Sequence, residues 1–222
     1  GKLVRKGGLM GWGTRAGVEG LACAVRTKAA GLVTEYKFAH PKDIQDGLIE
    51  VDENDILANV PYVPGCGMWF DHHSSEEERL GHVEFTGSSK QSPSCARVIW
   101  DYFGGHGKFS AFYDHMMEAV DNTDSGMLTQ EQVADPTGWY LLSVIMDPRT
   151  GLGRYRDYRI SNYPLMLDMC DFCSTMTAEE VPKEPDVRGR TERHFAQPKQ
   201  YAQMIRRCAT VDRQALCIDL SN

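Results

Sequence analysis

What most limits the folds open to this chain is an alternation in its first third. The Ala-rich stretch EGLACAVRTKAAGL has helical apolar spacing and ends at Gly31, and TEYKFAH then has the composition of a strand. Two more short apolar runs, NDILANVPY and GCGMWFD, are bounded by Pro and Gly and read as buried strands. Strands that alternate with helices build a mainly parallel sheet flanked by those helices, so the expected fold class is α/β.

From about Ser92 the pattern turns helical. SPSCARVIWDYFGG has Pro near its start and glycines at its end, FSAFYDHMMEAVDN follows, and GWYLLSVIM is a compact buried segment. ISNYPLMLDMCDFCSTM and RHFAQPKQYAQMIRRCATV read as amphipathic helices, giving a helix-rich C-terminal half. The charged TAEEVPKEPDVRGR, with two prolines, reads as a linker, and QALCIDLSN as one more strand. The expected division is a main domain over residues 1–180 and a tail of linker, helix and strand over 181–222.

Charge narrows the function. The formal net charge of -7 argues against a protein that grips a long nucleic acid, since that affinity comes from many Lys and Arg contacts to phosphate. A small phosphorylated ligand held by a few local groups fits better. No apolar run reaches membrane-spanning length and GKLVRKGG lacks the apolar core of a signal peptide, so no membrane association and a cytoplasmic location are expected. Seven scattered cysteines suit reduced thiols, and the lone CxxC of Cys170 and Cys173 lies on an apolar helical stripe, where two core thiols are the simpler reading.

The sharpest local feature is WFDHHSSEEE, residues 69–78, where an apolar run ends in Asp71, His72 and His73 and the chain turns polar. Ligands collect at the carboxyl ends of strands in open α/β sheets. Successive residues in extended backbone point to opposite sides, so one imidazole can bind a metal while the other faces a substrate. The plainer alternative is that Asp71 caps the polar segment, with Ser75 and Glu78 at capping-box spacing. The glycine-dense GGLMGWGTRAGVEG could pass for a dinucleotide loop, but a tight strand-to-helix turn explains it as well. His40, His82, His106, His115 and His194 have no ligand spacing.

FDHHSSE, together with HPKDIQDG, ENDILANVPYVPGCGMWFDHHSSEEE and MDPRTGLGRYRDYRISNY, resembles the DHH phosphoesterase family and within it the exopolyphosphatase-related branch. The resemblance runs from about Thr14 to Asp219. It implies a DHH-type parallel-sheet domain and metal-dependent hydrolysis, usually with manganese, of phosphoesters or phosphoanhydrides in small nucleotides, short oligonucleotides or polyphosphate. It also implies a second, substrate-closing domain, for which this chain shows no counterpart, so a homo-oligomer could supply the missing wall.

Carried over one position at a time, the family's first motif places its two acids at Gly17 and Glu19, with its glycine at Gly20 and a preceding histidine position at Gly13. The bridging acid of the second motif maps onto Asn59. The third motif is Asp71, His72 and His73, in which His72 binds metal, His73 contacts the phosphate and Asp71 supports the pair. The fourth maps onto Asp121, with Asp124 on the same helical face. By this resemblance one metal retains Glu19, His72 and Asp121, with Asn59, as donors, while the other is left with Gly13, Gly17 and Asn59. One Mn²⁺ or similar divalent cation is expected, rather than two.

Arg149 and Arg154, in PRTGLGRYRDYR, are candidate phosphate contacts, since guanidinium forks suit phosphate oxygens; the alternative is a solvated surface paired with Asp147 and Asp157. The combined reading is a phosphoesterase-like protein impaired by loss of one metal site, in which Asp71 and His73 take part in catalysis. Its alternative is an inactive member of the fold that works by phosphate-ligand binding or by assembly.

Overall fold

The computed structural model describes residues 7–11, 17–212 and 215–218. The chain runs β1 (Gly7–Gly11), α1 (Gly17–Ala29), β2 (Glu35–Ala39), α2 (Pro41–Gln45), β3 (Asp55–Ala58), β4 (Met68–Asp71), α3 (Ser74–Leu80), β5 (Gly87–Ser89), α4 (Cys95–Tyr102) and α5 (Asp114–Ser125). It continues through α6 (Gln130–Ala134), α7 (Gly138–Met146), α8 (Asn162–Thr175), α9 (Pro185–Cys208), β6 (Ala209–Asp212) and β7 (Ala215–Ile218), with short 3-10 turns between. None of the described helices is long and apolar enough to cross a membrane.

The first five strands form a parallel sheet in the order β2-β1-β3-β4-β5, so the class expected from the sequence is the class observed. The connection from β1 to β2 leaves in one direction and β3 lies on the other side of β1. That reversal opens a crevice at the carboxyl ends of β1 and β3, where α/β sheets bind ligands.

Strand alternation divides the core. Ile56, Ala58, Met68 and Phe70 face a large cluster built with α1, α4, α5, α7 and α8, whereas Leu57 and Trp69 face a smaller one with Ala39, Ile44 and Val60. α1 packs because Val18, Leu21, Ala22 and Val25 form a buried stripe. It stops at Gly31, whose φ of +74° suits glycine; Gly31 N–H donates to the Lys28 carbonyl and Leu32 N–H to that of Thr27.

One sequence reading changes here. TAEEVPKEPDVRGR is no free linker: Ala178, Val181 and Val187 are buried and α9 begins inside it at Pro185, because spaced apolar residues dock a segment that is otherwise charged. The expected terminal strand is present as β7 and pairs with β6 in an antiparallel two-stranded ladder. Cys170 and Cys173 are fully buried, and burial pushes the Cys170 thiol up to about 12, as expected of core thiols. Gly13 and most of the glycine-dense turn lie outside the described residues.

Candidate metal centre

Asp71 ends β4 and the chain leaves the sheet through His72 and His73. The His72 side chain is 10% exposed and meets Glu19 of α1 and Asp124 of α5, whereas that of His73 is 52% exposed, its ring centroid 4.2 Å from that of His72.

His72 Nδ1 lies 3.1 Å from the Ser92 carbonyl oxygen, which can only accept, so Nδ1 carries the proton. In the tautomer with the proton on Nδ1, Nε2 presents its lone pair. That atom is buried and has no hydrogen-bond partner of good geometry, yet it stands 3.2 Å from Glu19 Oε1 and 3.3 Å from Asp124 Oδ2. The donor atoms of Glu19, His72 and Asp124 lie within 4.8 Å of one another. Two carboxylates and an imidazole lone pair converging in a buried place repel one another unless a proton or a cation stands between them. The set suits a divalent cation, and the Ser92 carbonyl is the kind of outer partner that fixes the tautomer of a metal-binding histidine.

Glu19 bears the cost of this arrangement. It lies in the first turn of α1, is 2% exposed, and its pKa is raised well above the usual 4.5, first by desolvation and then by the negative charge of Asp124. The Cys95 backbone N–H donates to Oε1 at 2.7 Å and pulls the other way. The Asn59 amide donates to Oε2 at 2.5 Å. Asn59 has a φ of +58°, a left-handed backbone that Asn tolerates better than most residues, and its Oδ1 is buried without a partner.

His73 Nδ1 lies 2.9 Å from Asp71 Oδ1, and the buried carboxylate holds that ring in orientation. Both line a cavity of about 210 Å³ that also touches Asn59, Pro61 and Ser75, and Asn59 links it to Glu19 of the cluster.

Of the residues expected at the site, the structure brings Glu19 and His72 together and sets Asp71 and His73 at the adjoining cavity. Asp121 is not in the cluster. Its carboxylate accepts from Arg97 Nε at 2.8 Å, Arg97 Nη2 at 2.5 Å and Ser94 Oγ at 2.6 Å, and Asp124, one turn further along α5, meets Glu19 and His72 instead. The two acids share a helical face, so only the docking of α5 selects between them. Arg149 and Arg154 stand elsewhere: Asp147 fills the Arg149 fork at 2.9 Å and 3.0 Å, and Arg154 Nη2 donates to Tyr201 on α9 at 2.9 Å. Neither lines the cavity beside His73.

Gly17, where the family's first acid would stand, packs against the end of α7. A Cβ there would lie 2.3 Å from the Met146 carbonyl oxygen, so no side chain fits without moving α7.

No protein-family model matches this chain, and no curated protein does. A solved structure described as the pGpG-specific phosphodiesterase PggH from Vibrio cholerae is similar to it, with 39% sequence identity over 97% of this chain and 68% of that one and a TM-score of 0.80. An uncharacterized protein from Helicobacter pylori G27 aligns over 98% of this chain and 76% of its own at 10% identity and a TM-score of 0.39, too distant to inform the site. The similarity to the phosphodiesterase supports a phosphoesterase-like function. The chain belongs to the family of that pGpG-specific phosphodiesterase.

Proposed function

We propose that this protein is a DHH-type phosphoesterase that uses a single divalent cation, Mn²⁺ or one like it, to hydrolyse a phosphodiester in a short nucleotide. A linear dinucleotide such as pGpG is the foremost candidate, by analogy with the phosphodiesterase it resembles. The observation that carries this reading is the buried Nε2 lone pair of His72, unpartnered between the carboxylates of Glu19 and Asp124.

Glu19, His72 and Asp124 would hold the cation. Its chemistry when bound is to acidify water and to neutralise charge on a phosphoryl oxygen. The residues around it orient and limit. Ser92 fixes the His72 tautomer, Asn59 and Cys95 fix the two oxygens of Glu19, and Asp71 holds His73 at the wall of the adjoining cavity, where the ring can reach a phosphate oxygen. The glycine at position 17 supports one cation rather than two, because α7 fills the space a second acid would need.

The test is turnover with Mn²⁺ of pGpG, cyclic dinucleotides, 3'-phosphoadenosine 5'-phosphate, short oligonucleotides and polyphosphate. Hydrolysis of pGpG in preference to the others, lost in His72→Ala and in Asp124→Asn, is expected. A second reading, ligand binding without turnover, draws on the same glycine, since one cation gives weaker charge stabilisation than two. Binding of pGpG with no hydrolysis at any Mn²⁺ concentration would favour it.

A further inference from the structure

Asp121 is too well placed to be a spare acid. Its Oδ1 accepts the Ser94 hydroxyl proton at 2.6 Å, and its Oδ2 accepts from Arg97 Nε and Nη2 at 2.8 Å and 2.5 Å. Ser94 is fully buried and is the N-cap of α4, where its Oγ accepts the Arg97 backbone N–H at 3.1 Å. A hydroxyl has one proton to give. Giving it to Asp121 turns its lone pairs toward the orphan N–H of the helix end, so the carboxylate on α5 sets the orientation of the cap on α4.

The next residue carries the consequence. Cys95 N–H, in the first turn of α4, donates to Glu19 Oε1 at 2.7 Å, and that same oxygen is 3.2 Å from His72 Nε2. The helix bearing Asp124 is therefore tied through Asp121, Ser94 and Cys95 to the carboxylate of Glu19 on α1. The guanidinium of Arg97 also balances the charge of Asp121, so this acid adds little net negative charge to a cluster that already holds two carboxylates.

We propose that Asp121 is a positioning residue and not a metal ligand: with Arg97 and Ser94 it clamps the start of α4 so that the Cys95 N–H holds Glu19 in register with His72 and Asp124. The proposal rests on the reading that these three residues bind a divalent cation.

Mn²⁺ titration of the whole chain by calorimetry, alongside the melting temperature of the metal-free protein, tests it. Wild type should bind one ion, and Asp124→Asn should lose it. Asp121→Asn and Arg97→Met should each weaken binding about tenfold to a hundredfold at unchanged stoichiometry. Their double variant should be no weaker than the worse single, since both break one unit. Ser94→Ala should weaken binding in the same way and serves where Arg97→Met does not fold.

If Asp121 is a ligand instead, Arg97→Met releases it and affinity holds or rises while Asp121→Asn abolishes binding; that pattern overturns the clamp. So does unchanged affinity with a lowered metal-free melting temperature, which is what a merely structural pair would give. Absence of Mn²⁺ binding by wild type, or unaltered binding by Asp124→Asn, defeats the underlying reading and the clamp with it, a result distinct from either pattern.

Discussion

His72 and His73 are neighbours of one type with opposite surroundings: a buried ring whose proton is committed to a backbone carbonyl, and a half-exposed ring held by a carboxylate. The difference follows from where β4 ends: the rings touch, but only that of His72 is covered by α1 and α5. Glu19 gives the site its pH signature. Its raised pKa means that the native protein keeps a proton which the unfolded chain releases above about 4.5, so stability of the metal-free protein should fall as pH rises from there through the folded value. Glu19→Gln should flatten that slope, and saturating Mn²⁺ should reverse it; melting curves across pH with a chelator and with Mn²⁺ measure both. Asn59 separates backbone from side chain. Asn59→Gly and Asn59→Ala both lose the amide on Glu19 and should weaken Mn²⁺ binding alike, but Ala must also adopt a φ of +58° and should unfold at lower denaturant, by about 1–2 kcal/mol. The histidine pair was legible in the sequence because an apolar run stopped at it. The choice of Asp124 over Asp121 was not, since acids three apart on one helix face are equivalent until a neighbouring helix and its arginine take one of them.

Among the elements, one close approach lies where the first turn of α1 meets the last turn of α7. Gly17→Ala should destabilise the fold by about 1–3 kcal/mol in chemical denaturation, because the added methyl collides with the Met146 carbonyl rather than with a yielding side chain. Gly17→Asp should cost at least as much and should not add a second Mn²⁺ in titrations, since α7 stands where its carboxylate would project. The sequence disclosed that an acid was missing at this position. It did not disclose why, because α7 is more than a hundred residues away along the chain. α9 teaches the converse: a highly charged segment with two prolines looked like a linker, and Ala178, Val181 and Val187 dock it all the same.

At the scale of the whole molecule, a cation that binds only the native state adds its binding free energy to folding. At a free Mn²⁺ concentration a hundredfold above Kd the gain is about 2.7 kcal/mol, a rise of about 5–10 °C in melting temperature for a chain of this size. Chelation should remove that rise and pGpG hydrolysis together, and His72→Ala should remove both without chelator. The order β2-β1-β3-β4-β5 brings the site about. It sets the start of α1, the end of β3 and the end of β4 around one crevice, so residues 19, 59 and 72 meet although the sequence separates them widely.

The sequence by itself determined the α/β class, the helical second half and the strand-end histidines, because apolar periodicity and turn residues act locally and need no partner to be read. Tertiary structure alone decided which acid completes the cluster, why position 17 must be glycine, and that the two arginines after α7 turn to Asp147 and Tyr201 rather than to the cavity. Each of those outcomes depends on how distant helices dock, and docking is settled by the summed packing of both faces of the sheet rather than by any short stretch of chain.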